Sequence, residues 1–210
     1  PANPQITILS MPEGGQKTGE QEASEKLAEE IHRELERISE GMEPKDSAPV
    51  NQIKFIIEKR GLIIRVPERF LFGSGDASIK GDVFPILNAL AKSLEKIPNH
   101  IRIEGHTDSV PIKTPLFPSN WELSTTRATT IVRYLLANHP FNPSRISATG
   151  YAEFHPVAPN NTTEGRMQNR RVDVVVLSSK EGETEPSDKK ASKPPPYQFP
   201  RAGRIPPSDK

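Results

Sequence analysis

Three hydrogen-bonding side chains follow one another in His106–Asp108, where a short apolar segment ends. In that segment, residues 101–105, isoleucines alternate with polar residues, which predicts a strand ending at or just after the glycine. Arg127 lies 19 positions after Asp108, in the first turns of a predicted helix. Because ligands of open α/β sheets bind at the carboxyl edge, Asp108 and Arg127 could face one cleft if the loop between them folds back.

Opposite charges in one cleft suit a zwitterionic ligand. Asp108 can accept hydrogen bonds from an ammonium group, and Arg127 can bind a carboxylate through two parallel hydrogen bonds. A ligand lacking either group would leave a charge unpaired, so the pair would select an amino-acid-like headgroup. The alternative is structural, with Asp108 and Arg127 pairing only with each other across a strand and a helix. The spacing leaves both interpretations open.

A cell-wall hydrolase is the rival function from another class, because His106 and Asp108 could share a metal ion or act as acid and base. A zinc hydrolase needs at least three convergent ligands, and the other histidines have no ligand-like spacing to His106. The chain has no cysteine and no Gly-x-Ser-x-Gly motif, which excludes two kinds of nucleophile. We therefore expect a protein that binds, without a catalytic residue, metal or cofactor.

The surrounding pattern predicts one α/β domain from Asn51 to Ser178. Expected strands lie at about 53–58, 62–66, 101–106, 145–149 and 172–177, and expected helices at 83–94, 119–138 and 163–170. This order predicts an α/β (α+β) two-layer sandwich, a mixed β-sheet with helices packed on one face. The helix after the loop should begin at Ser119, with Glu122 completing a capping box, although Ser124 is a competing cap. Trp121 is expected to fill the core rather than to form a sugar-stacking platform.

Three segments flank this domain. Residues 1–19 are rich in proline, glycine and polar residues and predict a flexible linker, and residues 179–210 predict a disordered tail. Residues 20–42 predict an amphipathic helix with one narrow apolar stripe formed by Leu27, Ile31, Leu35 and Ile38. That stripe either packs on the following domain or forms a dimer seam or partner-docking helix.

Composition limits the partners. The net charge is +1 and basic residues form no dense cluster, so nucleic acid is not an expected partner. With 22 prolines and 33% hydrophobic residues, much of the chain is not expected to be packed core. No run of 18 apolar residues occurs, and the chain starts at Pro1 without methionine. We expect any membrane anchor to lie upstream of this chain.

Three separated blocks carry a family resemblance: EGHTDSVPI, SNWELSTTRATTIVRYL and RISATGYAEFHPVAPNNTTEGRMQNRRVDVVVL. They contain, in order, a TD pair, LS-x-x-RA and NRRV. This pattern resembles the OmpA-like peptidoglycan-binding domain of the OmpA/MotB family, most closely its flagellar stator (MotB-type) members.

The resemblance implies that Asp108 and Arg127 hold the diaminopimelate residue of a peptidoglycan stem peptide, whose free amino and carboxyl groups form the expected zwitterion. It further implies that the same cleft is lined by Thr107, Asn120, Leu123, Arg170 and Arg171. Asn169 could instead orient its own loop, and Arg171 begins a strand where it could simply face solvent.

The resemblance also implies a cellular role. A stator subunit of this family would be a periplasmic, dimeric wall anchor, tethered to the inner membrane by a helix absent from this chain and assembled with a MotA-like partner. The helix at 20–42 and its linker would then regulate reach toward the wall. The alternative within the family is an OmpA/Pal-like outer-membrane or envelope anchor, which would use the same cleft.

Overall fold

The computed structural model describes residues 6–8, 18–40 and 50–185. The strands are β1 (Ile6–Ile8), β2 (Lys54–Glu58), β3 (Gly61–Pro67), β4 (Ile101–His106), β5 (Ile146–Gly150) and β6 (Arg171–Leu177). The helices are α1 (Gly19–Glu40), α2 (Glu68–Leu71), α3 (Phe84–Glu95), α4 (Asn120–Asn138), α5 (Thr163–Asn169) and α6 (Ser179–Gly182), with 3-10 turns at 50–52, 81–83 and 143–145. This mixed sheet with helices confirms the predicted α/β class.

The sheet has the strand order β1-β2-β3-β6-β4-β5. Strand β6 lies in the middle and runs antiparallel to both of its neighbours, β3 and β4. Strands β3 and β4 are therefore parallel to each other and end at the same edge of the sheet. All seven residues of β6 are buried, as expected for a Val-rich central strand with neighbours on both sides.

The main core lies on one face of the sheet, where α1, α3 and α4 pack. Alternate strand residues such as Phe55, Ile64, Ile103 and Val174 point into it, in keeping with the two-residue period of a strand. Helix α4 contributes Ala128, Ile131 and Leu135 at helical spacing. The predicted arrangement of helices on one face is thus confirmed.

Helix α1 packs its apolar stripe onto this domain. Leu27, Ile31 and Leu35 are buried in the main core, and Ile38 packs against it at the margin. The first interpretation of residues 20–42 is therefore confirmed, and these side chains are not available for a dimer seam. None of the helices within the described residues is long and apolar enough to cross a membrane.

The predicted linker at residues 1–19 contains a strand. Strand β1 pairs in parallel with β2, with Ile6 opposite Phe55 and Ile8 opposite Ile57, and both isoleucines pack against the core. So short an apolar stretch cannot order itself, but the edge of β2 supplies the hydrogen-bonding partner that the local sequence does not reveal. Of the predicted tail, residues 179–182 form α6, and residues 186–210 lie outside the described part of the chain.

The start of α4 follows the predicted cap. The hydroxyl of Ser119 accepts a hydrogen bond from the backbone N–H of Trp121 at 3.2 Å and donates to Glu122 Oε2 at 2.6 Å. Ser124, the competing candidate, instead accepts from the N–H of Ala152 at 3.1 Å. The prediction that Trp121 fills the core is wrong, because the buried face of α4 begins at Asn120 and Trp121 lies off that face.

Two glycines allow α4 to lie directly against the ends of β4 and β5. A Cβ on Gly105 would lie 2.1 Å from the carbonyl oxygen of Ser124, and one on Gly150 would lie 2.2 Å from Oγ1 of Thr125. The helix backbone is thus in contact with the strand end that carries Thr107 and Asp108.

We predict that Gly105→Ala lowers the free energy of unfolding by about 1–3 kcal/mol, because the new methyl group meets helix backbone that cannot move aside easily. Chemical denaturation measures the change. Gly81→Ala is the control, since a Cβ there meets nothing within 4 Å. Equal stability of Gly105→Ala and wild type would show that α4 does not need this close approach.

Candidate functional site

Asp108 lies just beyond the carboxyl end of β4, held by its own loop. Its Oδ1 accepts a hydrogen bond from the N–H of Val110 at 3.0 Å, and its Oδ2 accepts one from Nη1 of Arg170. The preceding Thr107 donates its N–H to the carbonyl of Ala152 at 2.9 Å and its hydroxyl to the carbonyl of Asp108 at 2.9 Å. Both oxygens of the Asp108 carboxylate therefore have partners.

Asn120 and Leu123 support the loop from the first turn of α4. The amide of Asn120 donates to the carbonyls of Asp108 at 3.3 Å and Val110 at 3.2 Å. Leu123 is buried in a small apolar cluster with Ala77 and Phe117. Both residues were predicted to line the cleft. In this structure both position the loop, and they act through their neighbours.

Arg127 is almost fully buried. Its Nη2 donates to Oε1 of Glu68 at 2.7 Å, its Nε donates to the carbonyl of Asp76 at 2.8 Å, and the guanidinium lies over the ring of Phe72 at 5.3 Å. Burial lowers the pKa of this guanidinium, against the opposing effect of Glu68. The contact with Asp76 also fixes the loop before α3.

Glu68 is a site residue that the sequence reasoning missed. Its Oε1 pairs with Arg127, while its Oε2 is buried, has no hydrogen-bond partner in the described part of the chain and lies 3.8 Å from Nε of Arg170. Burial raises the pKa of Glu68, although the two arginines oppose this. A signal was available, because Glu68 follows a predicted strand just as Asp108 does.

Four side chains therefore form one chain of contacts, Asp108–Arg170–Glu68–Arg127, which we call the ionic quartet. Two carboxylates and two guanidiniums make its formal charge zero. The predicted structural alternative, a direct pair of Asp108 with Arg127, is not what the structure shows, because each has another partner. Arg170 is the exposed member, with 39% of its side chain accessible against 3–7% for the others.

Arg171 lies apart from the quartet. Its Nε donates to Oδ2 of Asp173 at 3.0 Å and its Nη2 to the carbonyl of His155 at 3.1 Å, and the residue is 4% exposed. It neither reaches the predicted cleft nor faces solvent. Asn169 orients its own loop, accepting from the N–H groups of Val157 at 2.8 Å and Ala158 at 3.0 Å.

Residues 71–170 match the OmpA family. The structure of the cell wall anchor of the T6SS from Pseudomonas aeruginosa superposes with a TM-score of 0.58 at 31% identity, covering 64% of this chain and 94% of that one. Residues 71–170 are therefore an OmpA family domain. The matched segment contains Asp108, Arg127 and Arg170 but begins after Glu68, so the quartet reaches beyond it.

Two further proteins similar to this chain are named Motility protein B or MotB-like. Motility protein B of Bacillus subtilis is 38% identical over 154 residues, which is 72% of this chain and 59% of that protein. A MotB-like protein from Desulfovibrio vulgaris superposes with a TM-score of 0.63 at 28% identity, covering 73% of this chain and 93% of that one. The chain spans 59% of the length of Motility protein B and 51% of the length of another B. subtilis relative, YtxE.

On the face of the sheet opposite the main core, Glu104, His106 and Asp173 are buried close together. Their potential ligand atoms lie within 4.8 Å of one another, and neither ring nitrogen of His106 has a hydrogen-bond partner in the described structure. However, Nη1 of Arg60 donates a hydrogen bond to Oε1 of Glu104 at 2.7 Å, and Nη2 of Arg65 donates one to Oδ2 of Asp173 at 2.8 Å.

Arg171 also pairs with Asp173, and Nη1 of Arg102 lies 3.9 Å from Oε1 of Glu104, so four guanidiniums surround this cluster and oppose a metal cation electrostatically. Burial lowers the pKa of His106, which favours a neutral imidazole. Asp108 is not part of this group, so the predicted rival pairing of His106 with Asp108 around a metal finds no support in the geometry.

The quartet makes Glu68→Ala destabilising, because it leaves the buried Arg127 guanidinium without its carboxylate. We predict a loss of about 3–5 kcal/mol in the free energy of unfolding, measured by chemical denaturation. The control is Glu34→Ala, which removes the partner of Arg37 on the surface of α1 and should change stability little. Similar small losses in both variants would refute the quartet as a stabilising contact.

The buried carboxylate of Asp173 predicts acid sensitivity. Burial raises the pKa of Asp173, but its ion pairs with Arg65 and Arg171 outweigh this and leave the pKa below its ordinary value. Stability from such a group is present above the unfolded pKa, about 4, and is lost as pH falls below it. Asp173→Asn should therefore be less stable than wild type at neutral pH and lose less stability below about pH 4. Parallel pH profiles from denaturation would contradict this.

Proposed function

We propose that this chain is a non-covalent cell-wall anchor that binds a peptidoglycan stem-peptide residue with free amino and carboxyl groups, of the diaminopimelate type. The observation that carries the proposal is the ionic quartet, a charge-neutral network with one exposed arm at the sheet edge of an OmpA-family domain. A zwitterion can enter such a network without changing its net charge. The similarity to a cell wall anchor of known structure, at 31% identity, supports the same direction.

Binding would exchange partners. Asp108 Oδ2 releases Arg170 and accepts from the ligand's ammonium group, while Arg170 turns to the ligand's carboxylate. A partly exposed ion pair such as Asp108–Arg170 contributes at most about 1 kcal/mol, so it is readily given up. One charge-assisted contact is given up and two form, one from the ligand's ammonium group and one to its carboxylate. Arg170 is therefore proposed as the residue that first meets the carboxylate.

Arg127 has a second place in this proposal. To bind the carboxylate itself, it must exchange Glu68 for the ligand, and its side chain is only 3% exposed. From its present position it orients Glu68 and the loop at Asp76 behind the exposed Arg170. We therefore propose that Arg127 either contacts the ligand after Arg170 does or positions the residues behind Arg170.

We also propose that this chain is the periplasmic part of a flagellar stator subunit. The match to Motility protein B covers 72% of this chain, more than residues 71–170 alone. A MotA-like partner, a homodimer and a helix that anchors the protein in the inner membrane belong to this proposal. An OmpA/Pal-like envelope anchor would use the same quartet.

The test is co-sedimentation with insoluble peptidoglycan. Wild type should sediment, and free meso-diaminopimelate should compete it off. Asp108→Asn and Arg170→Ala should each bind at least about tenfold more weakly, since each removes a charge-assisted hydrogen bond. Circular dichroism verifies that the variants fold.

Matched controls remove the same charges elsewhere: Asp82→Ala before α3 and Lys92→Ala on α3 should bind as wild type does. Equal sedimentation of all variants would refute the quartet as the binding site. Release of soluble muropeptides by wild type would instead indicate a hydrolase.

A further inference from the structure

Trp121 and Phe154 form an exposed aromatic pair. Their ring centroids lie 5.4 Å apart with 25° between the ring planes, so one face of each ring covers the other. Trp121 is nevertheless 48% exposed and Phe154 61% exposed. This exposure must come from the outer faces and edges of the two rings. Large apolar side chains left open together mark binding surfaces.

The pair is tethered to the strand end that carries Asp108. Trp121 follows Asn120, whose amide donates to the carbonyl of Asp108 at 3.3 Å. Phe154 lies two residues after Ala152, whose carbonyl accepts from the N–H of Thr107 at 2.9 Å. Both rings are therefore attached to the segment that carries Asp108, one member of the ionic quartet.

The neighbours of the rings restrict the ligand. Glu122 follows Trp121, and Glu153 precedes Phe154. These residues adjoin the pair in sequence; Oε2 of Glu122 accepts from Ser119, and Oε2 of Glu153 is buried. Their negative charge disfavours phosphate groups of nucleic acid or anionic lipid. An uncharged ring with an apolar face and polar edges fits, because aromatic residues bind such ligands by stacking while the edges stay hydrated.

We propose that Trp121 and Phe154 bind an N-acetylated sugar ring of the peptidoglycan glycan strand by stacking. This rests on the proposed function, because the sugar would lie beside the stem peptide held by the quartet. The anchor then contacts two chemically different parts of one polymer, a charged peptide residue and an uncharged glycan.

The experiment uses Trp121 as its own reporter, since the chain contains one tryptophan. Fluorescence of wild type is titrated with chitotetraose, an uncharged oligomer of N-acetylglucosamine. We expect a saturable change. Phe154→Ala keeps the reporter but removes its stacking partner, and should weaken binding about fivefold. Phe154→Tyr preserves the ring and should respond as wild type does.

Unchanged fluorescence of wild type would overturn the sugar site, while sedimentation with peptidoglycan would still test the quartet separately. A change in fluorescence with protein concentration alone, matched by dimers in light scattering, would also overturn it and assign the pair to contacts between copies. Chitotetraose binding by a protein whose sedimentation with peptidoglycan is not competed by free meso-diaminopimelate would support the sugar site and refute the stem-peptide proposal.

Discussion

Strand β6 runs antiparallel to both β3 and β4, and the pairing places Pro67, Arg171 and His106 in one row across the sheet. The residues that flank this row are Glu68 after β3, Arg170 before β6 and Asp108 shortly after β4. Three of the four members of the ionic quartet are therefore brought together by strand register. Helix α4 adds the fourth, Arg127, because two glycines let its backbone rest against β4 and β5.

Neighbouring residues of one chain segment serve two different networks. Arg170 and Arg171 are adjacent, yet β6 begins between them and the pleat sends Arg171 to the face opposite the main helices. There it joins Asp173, which is fully buried and also held by Arg65. Its members are buried or nearly so, with Arg65 the most exposed at 17%, and the network stabilises the fold. Arg170 remains 39% exposed, so the quartet has one side chain that the proposed ligand would contact first.

Local patterns predicted much of this fold. Alternating isoleucines predicted β4 and its end beside Asp108, and Ser119 with Glu122 predicted the start of α4, because these signals act within a few residues. The partners of Asp108 and Arg127 could not be predicted in this way. Arg170 and Glu68 reach them only through the insertion of β6 between β3 and β4, a long-range pairing that leaves no trace in local periodicity. The exposure of Trp121 similarly depends on which side of α4 meets the sheet.

The packing of α1 constrains how an anchor of this kind could extend. Leu27, Ile31 and Leu35 are part of the main core, and full burial of such a side chain contributes about 1.5–3 kcal/mol. Releasing α1 would therefore cost several such contributions and open the core. Regulation of reach by release of this helix from the core is therefore unfavourable. A change in reach that keeps the core intact has to arise from residues outside α1, with the helix moving as part of the domain.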